Sequence, residues 1–92
     1  MASIDLSLKP AVSRRFRLQW EPAQNAHVLL YPEGMVKLNR SAGELLKRCD
    51  GTRAVTDIVS ELECVFEVQG LTTDVVSFLT QALERNWVEM RQ

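Results

Sequence analysis

Apolar and polar residues alternate strictly over the stretch RFRLQWE, residues 15–21. The apolar members are Phe16, Leu18 and Trp20, and alternation of this kind with aromatic content predicts a half-buried β-strand. A break at PAQNA is followed by HVLLY, residues 27–31, which is rich in strand-favouring residues. The pattern therefore predicts two neighbouring antiparallel strands.

A turn and a third strand follow directly. YPEG, residues 31–34, fits a type I turn, with Pro32 fixing φ at the second position and Gly34 taking a positive φ as a bulge. MVKLN, residues 35–39, predicts the third strand. Its side chains alternate between two faces, with Val36 and Leu38 on one and Met35, Lys37 and Asn39 on the other. We expect a three-stranded antiparallel meander whose last strand has one free edge.

From residue 41 onward the apolar spacing changes to that of helices. Ser41 and Glu44 match the capping-box pattern S-x-x-E, which predicts a first helix that begins at Ser41 and ends before Gly51. Further periodic segments predict a second helix over residues 55–66 and a third over residues 72–85. Three strands followed by three helices predict an α+β, winged-helix-like fold.

The length of 92 residues suits a single domain, residues 1–92. We expect residues 1–14 to be extended or loosely ordered, since Pro10 opposes a helix there. The chain shows neither a signal peptide nor a run of roughly 18 apolar residues that would span a membrane. Cys49 and Cys64 lack metal or redox spacing, which indicates reduced thiols and a cytoplasmic location.

The third helix carries more apolar surface than one core contact requires. At about 100° per residue, the apolar arcs of the first two helices are about 100° and 120° wide, whereas that of the third is about 160°. The surplus edge holds Val76 and Leu83, with Leu79 shared between two faces. This surplus either packs on the N-terminal segment or on Trp87, or it forms the wall of an apolar groove beside the free edge of residues 35–39. A free strand edge next to an apolar helix is the arrangement used to bind peptides by strand addition.

The sequence offers little catalytic chemistry. His27 is the only histidine, and no Ser/His/Asp or Cys/His set can be assembled around it. The glycines are scattered, so no phosphate-binding loop is expected. Glu61, Glu63 and Glu67 are expected to form a solvated face of the second helix. We predict neither an enzyme nor a cofactor or metal site.

The charge distribution leaves two other functional classes to consider. Residues 1–48 carry eight Lys/Arg and four Asp/Glu (+4), and residues 49–92 carry three and eight (−5), which together give −1. This is either ordinary solvated surface or a basic sheet region that steers an acidic peptide. A winged-helix DNA-binding regulator is the first alternative, but the third helix has only Arg85 against Asp74 and Glu84, so we expect no nucleic-acid partner. A homodimer module that pairs its own free strand edges is the second.

Five segments together resemble the PqqD family of pyrroloquinoline quinone (PQQ) biosynthesis proteins. They are LLYPEGMVKLN (29–39), SAGELLKRCDG (41–51), VTDIVSEL (55–62), DVVSFLTQAL (74–83) and NW (86–87). The most specific pieces are the turn, Leu38–Asn39, Ala42 and CDG (49–51), and the resemblance extends from about Pro10 to Val88. Ala54 departs from the family pattern, which usually has a Ser or Thr helix cap at this position.

The resemblance implies a non-catalytic peptide chaperone, a recognition element for ribosomally made precursor peptides (RiPPs). The implied partners are a PqqA-like precursor peptide and a PqqE-like radical S-adenosylmethionine enzyme, which joins a Glu and a Tyr of that peptide by a carbon–carbon bond. In the family the peptide adds as a strand to the third strand and lies against the third helix. Carried over by position, the peptide-binding residues are Met35, Val36, Lys37, Leu38, Asn39, Val75, Val76, Leu79 and Leu83.

Overall fold

Five strands and three helices form the part of the chain described by the computed structural model, residues 4–92. In chain order they are β1 (Lys9–Val12), β2 (Arg17–Glu21), β3 (Ala26–Tyr31), β4 (Gly34–Lys37), α1 (Arg40–Lys47), α2 (Val55–Phe66), α3 (Thr72–Glu84) and β5 (Val88–Arg91). The α+β class, with a meander followed by three helices, is confirmed.

The meander has the strand order β2-β3-β4, and its inner face packs on the helices. Leu29 pairs with Leu18 on one side and with Val36 on the other, and it is fully buried. Trp20 was expected on the same buried face, but its side chain is 49% exposed. It lies near the end of an edge strand, where it contacts His27 edge-on, with the ring centroids 5.1 Å apart.

The turn between β3 and β4 is tighter than the sequence suggests. Tyr31 pairs directly with Gly34, so the loop consists of Pro32 and Glu33 alone. Gly34 does not adopt a positive φ, and the predicted bulge is wrong. β4 begins at Gly34 and ends at Lys37, not at the predicted residue 39, since Asn39 already caps the first helix.

The first helix begins one residue earlier than predicted and has a different cap. The Asn39 Oδ1 atom accepts a hydrogen bond from the backbone N–H of Ala42 at 2.8 Å. Asparagine is among the strongest N-cap residues, and its extended backbone here continues from the end of β4. The predicted capping box is wrong, since Ser41 lies inside the helix and the Glu44 carboxylate accepts a hydrogen bond from Arg48.

Asn39→Ala is expected to lower the free energy of unfolding by about 1 kcal/mol, because it leaves a helix N-terminal amide without its acceptor. Ser41→Ala is the matched control and should change it by less than half as much. Urea unfolding of both variants followed by circular dichroism measures the difference. A larger loss in the Ser41 variant would contradict the observed cap.

A second sheet joins the two ends of the chain. β1 and β5 pair antiparallel, with Ala11 opposite Glu89 and Val12 opposite Val88. Of the two alternatives predicted for residues 1–14, extended or loosely ordered, β1 adopts the extended one, while residues 1–3 lie outside the described part. The Pro10 carbonyl accepts from the Gly51 amide at 3.0 Å. The Pro10 nitrogen therefore lies on the side of β1 that faces the loop after α1. On this side, which points away from β5, the β1–β5 ladder requires no N–H donor.

The N-terminal segment also caps α2. Ala54 precedes this helix and has no side-chain acceptor to offer. The carbonyl of Leu8 instead accepts from the Val55 amide at 3.0 Å, and that of Leu6 accepts from the Thr56 amide at 3.1 Å. The missing Ser or Thr cap is replaced by backbone of residues 6–8.

Charged side chains on α1 and α2 connect the helices. Arg48 donates to Glu44 at 2.8 Å and to Glu61 at 3.0 Å. The hydrogen bond from Arg48 is the main cause that lowers the pKa of Glu44. Glu63 accepts from the backbone amides of Gly70 and Leu71 at 2.9 and 3.0 Å, just before α3. The expectation of a merely solvated face is thus wrong for Glu61 and Glu63.

One core lies between the meander and the helices. It contains the buried side chains of Leu29, Leu38, Ala42, Leu45, Leu46, Cys49, Val55, Ile58, Val59, Leu62, Val75, Leu79, Ala82 and Val88. Gly43 of α1 is buried against His27, and a Cβ atom there would lie 2.8 Å from the imidazole Nδ1. His27 therefore has a packing role. Across residues 4–92, the helices are too short or too polar to traverse a lipid bilayer.

Candidate functional site

β4 has one unpaired edge within residues 4–92. It pairs only with β3, through Leu29–Val36 and Tyr31–Gly34 among other pairs. The Leu38 amide donates to the His27 carbonyl at 3.0 Å. Because backbone groups alternate in direction along a strand, those of Gly34 and Val36 also point toward β3, and those of Met35 and Lys37 point away. The free edge therefore presents two N–H and two C=O groups.

The side chains of this predicted site segment differ in exposure. Met35 is 48% exposed, Lys37 and Asn39 are exposed, and Val36 is half-buried. Leu38 is a core residue with 5% exposure. Met35 and Lys37 lie on the same face of the sheet as Leu30 and Val28, their partners across the ladder, and opposite to the face of Leu29 and Val36. A partner strand on this edge would contact Met35 and Lys37 directly.

On α3 the structure divides the predicted site residues into two groups. Val75 and Leu79 are buried in the core, with 3% and 0% exposure. The expectation that Leu79 lies partly on an exposed flank is wrong, because α3 packs against both α2 and β5. Leu83 is half-buried against the core, whereas Val76 is half-buried and does not belong to that packing.

Part of the apolar surplus of α3 is used internally. The rings of Phe78 and Trp87 lie 6.4 Å apart, which matches the alternative that the surplus packs on Trp87. The guanidinium of Arg85 lies over the Trp87 ring, 5.3 Å from its centroid. Val76 and the edge of Leu83 are the predicted site side chains of α3 that remain partly exposed.

An apolar cleft of about 390 Å³ lies where the end of β4 meets the helices. It is lined by residues of the first turns of α1 and α3, the last turns of α2 and the linker between α2 and α3: Asn39, Ser41, Ala42, Leu45, Leu62, Phe66, Val68, Leu71, Asp74, Val75 and Phe78. Arg40 covers the Phe66 ring at 4.8 Å. We refer to this feature as the apolar cleft.

A second cleft of about 260 Å³ lies at the opposite end of β4. Its walls come from the residues just before β2, the β3–β4 turn and the residues just after α3: Arg15, Phe16, Tyr31, Pro32, Glu33, Arg85 and Asn86. The Phe16 and Tyr31 rings pack together with centroids 5.5 Å apart. We refer to this feature as the arginine cleft.

The positions of the two clefts define the direction of α3 relative to β4. The turn before β4 meets the C-terminal end of α3 in the arginine cleft, and Asn39 after β4 meets the N-terminal part of α3 in the apolar cleft. β4 and α3 therefore run in opposite directions, with one cleft at each end. We call the surface from the arginine cleft along the free edge of β4 to the apolar cleft the β4–α3 groove.

Reactive groups elsewhere in the described chain are sparse. Burial raises the pKa of the Cys49 thiol to about 12, so it stays protonated at neutral pH. Cys64 is exposed and, like Cys49, free. Residues 4–92 contain no cluster of three or more His, Cys, Asp or Glu side chains placed to hold a metal ion.

Sequence reasoning missed most of the apolar cleft. Ser41, Leu62, Phe66, Val68 and Leu71 line it, but none of them was a candidate site residue. The available signal was Val68, a single apolar residue within the otherwise polar linker EVQG. It is 45% exposed, which fits a residue at a cleft rim.

Comparison with known proteins identifies one family. The family model described as "Coenzyme PQQ synthesis protein D (PqqD)" matches residues 26–88. A protein named "PqqA binding protein" from Stutzerimonas stutzeri (strain A1501) is 53% identical over 92 residues, covering 99% of this chain and 100% of its own. A protein of the same name from Azotobacter vinelandii is 52% identical over 91 residues, with 98% and 99% coverage.

A solved structure has the same fold. It is the solution NMR structure of the PqqD truncation of Methylobacterium extorquens PqqCD, described as a functional, stand-alone RiPP recognition element. The TM-score is 0.77 at 27% sequence identity, and the match covers 96% of this chain and 95% of that one. The likeness therefore extends over nearly the whole of both chains.

Proposed function

Because the chain belongs to the PqqD family, we propose that it binds a PqqA-like precursor peptide in PQQ biosynthesis, by strand addition to β4. Relatives with about half of their residues identical are named for PqqA binding, and the solved neighbour is described as a recognition element. The peptide would pair with the free edge of β4 and lie along the β4–α3 groove.

The observation that carries the proposal is the free edge of β4. Four backbone groups of Met35 and Lys37 point away from β3, and they can form the alternating hydrogen bonds of an added antiparallel or parallel strand. At about 0.5–1.5 kcal/mol net each, four such bonds give roughly 2–6 kcal/mol. Burial of a few apolar side chains raises this toward the roughly 8 kcal/mol of micromolar binding.

The proposed binding residues act in two ways. Met35, Lys37 and Asn39 are exposed, and Val36, Val76 and Leu83 are half-buried, so these can touch the peptide. Leu38, Val75 and Leu79 are buried, and they would support the groove from beneath. The site therefore keeps all nine predicted residues but assigns direct contact to six.

We further propose that the domain acts as an adaptor, without catalysis of its own, and presents the peptide to a PqqE-like radical S-adenosylmethionine enzyme. The family and the description of the solved neighbour as a recognition element support this role. The two free thiols suit a reducing cytoplasm. An adaptor must bind peptide and enzyme on different surfaces, and the groove occupies only the β4–α3 side.

A 15N chemical-shift titration with the synthetic precursor peptide encoded in the same genome tests the proposal. We expect saturable shifts concentrated in residues 34–39 and along α3, with the amides of Met35 and Lys37 among the most affected. Shifts confined to other surfaces, or none at large peptide excess, would contradict it.

Two further measurements sharpen the test. Peptides N-methylated at single positions should lose affinity at every second residue within the paired stretch, because only alternate amides face β4. Sedimentation of the free protein reports whether two copies already occupy the β4 edge. A dimer that dissociates on peptide addition would still place the peptide on this edge, whereas a peptide-insensitive dimer would assign the edge to self-pairing.

A further inference from the structure

We infer that the β4–α3 groove recognises two side chains of its peptide, a bulky apolar one in the apolar cleft and a carboxylate in the arginine cleft, about six residues apart. This inference rests on the proposed peptide binding and specifies the chemistry of the peptide. It follows from the contents of the two clefts and from their separation along β4.

The apolar cleft fits an aliphatic or aromatic side chain. Its inner wall is formed by Leu45, Leu62 and Val75, and its outer wall by Phe66, Val68, Leu71 and Phe78. Asn39, Ser41 and Asp74 are the polar lining residues. A volume of about 390 Å³ lies at the lower end of the roughly 300–1,000 Å³ that is typical of binding pockets. A peptide strand leaving β4 passes Asn39 and reaches this opening.

The arginine cleft has the opposite character. Arg15 and Arg85 line it, with Glu33 as the single carboxylate, so its side chains carry a net charge of +1. Within residues 4–92 neither arginine forms a salt bridge. Four other basic side chains do pair with acidic neighbours, namely those of Lys47, Arg48, Arg53 and Arg91. The two guanidinium groups are therefore available for a carboxylate of the peptide.

The distance between the clefts sets the spacing of the two side chains. Glu33 and Asn39, which line opposite clefts, are six positions apart in the chain. At about 3.3 Å per residue, six residues of strand span roughly 20 Å. An added strand advances at the same rate, and an even separation places both side chains on one face. That face would be the one turned toward α3.

A matched pair of variants tests the apolar cleft. Val68→Asp introduces a carboxylate at the rim of the cleft, and Val65→Asp introduces the same charge at a similarly exposed position outside it. With the fluorescently labelled precursor peptide from the same genome, we expect Val68→Asp to weaken binding by about tenfold or more. Val65→Asp should change it by less than about twofold.

A second pair tests the arginine cleft. Arg15 lines the cleft and Arg14 does not, and both are exposed. Arg15→Glu is expected to weaken binding by about fivefold at low salt, with a smaller effect at high salt. Arg14→Glu should have less than half the effect. A peptide with one acidic residue replaced by lysine should bind the Arg15→Glu variant better than it binds the wild type, and that residue should lie about six positions from the apolar one.

The outcomes separate this inference from the proposed function. If the wild type binds the peptide but each variant behaves like its control, two-point recognition is wrong and strand addition stands. A loss at only one cleft overturns the two-point pattern and leaves a single anchor. If the wild type does not bind the peptide at all, the proposed function fails and this inference fails with it.

Discussion

Leu79→Asp is expected to unfold the domain. The Leu79 side chain is completely buried among the helices and the meander, so the substitution places an unpaired carboxylate in an apolar core. The cost should exceed about 4 kcal/mol, which is a large part of the roughly 5–15 kcal/mol that stabilises a typical domain. Loss of the helical circular dichroism signal and of dispersed amide resonances measures the effect.

Val76→Asp is the matched control for folding. Val76 lies three residues earlier on the same helix, is half-buried and does not belong to the core packing. This variant should remain folded, with a loss of no more than about 1 kcal/mol on urea unfolding. A folded Leu79→Asp protein that had lost only peptide binding would instead support the sequence-based assignment of Leu79 to the groove wall.

The position of Leu79 illustrates what a single helix pattern cannot reveal. The apolar arc of α3 was measured correctly from the sequence, but its width was attributed to one core contact plus a surplus. In the structure α3 contacts both α2 and β5, and Phe78 packs against Trp87. An element with two packing partners needs a wider arc. Only a knowledge of the tertiary neighbours separates this case from an exposed groove wall.

Local signals succeeded where the interactions are local. The alternation in residues 15–21 and 27–31, together with the turn after them, was sufficient for the meander, because a hairpin with a short loop fixes its own register. The helices over residues 55–66 and 72–84 were similarly clear. Each of these strands and helices is defined by residues that lie close together in the chain.

The β1–β5 sheet could not be predicted in the same way. Its strands have four residues each and lie at opposite ends of the chain, with Lys9 opposite Arg91. Pro10 indicated only that a helix is disfavoured there, and a proline also removes one donor from a strand ladder. The structure places its nitrogen toward the Gly51 loop and not toward β5. Which side of a strand is paired depends on contacts that no local pattern contains.

The candidate site was predictable in part. Its free edge was predicted from the sequence and is present, since the later strand β5 pairs with β1 and not with β4. The two clefts were not predicted. The apolar cleft combines side chains from three helices and a linker, from Asn39 to Phe78, and the arginine cleft joins Arg15 to Arg85 across 70 positions. Such sites arise from packing, so they become visible only when the helices are placed relative to the sheet.

Lys37→Pro is expected to weaken binding of the precursor peptide by at least about tenfold. By the alternation along β4, the Lys37 amide points to the free edge. Proline removes this donor, and its ring occupies the space where a partner strand would approach. Loss of one hydrogen bond together with this steric obstruction corresponds to about 1.4 kcal/mol or more. Calorimetric titration with the synthetic peptide measures the change.

Lys37→Ala is the control, because it removes the side chain but keeps the amide. If pairing occurs through the backbone, the alanine variant should bind within about threefold of the wild type, since an exposed lysine contributes little beyond its charge. Both variants must retain the dispersed amide spectrum of the folded meander. Equal affinities of the proline variant and the wild type would show that the peptide does not pair with β4. Equal losses in both variants would assign the interaction to the lysine side chain.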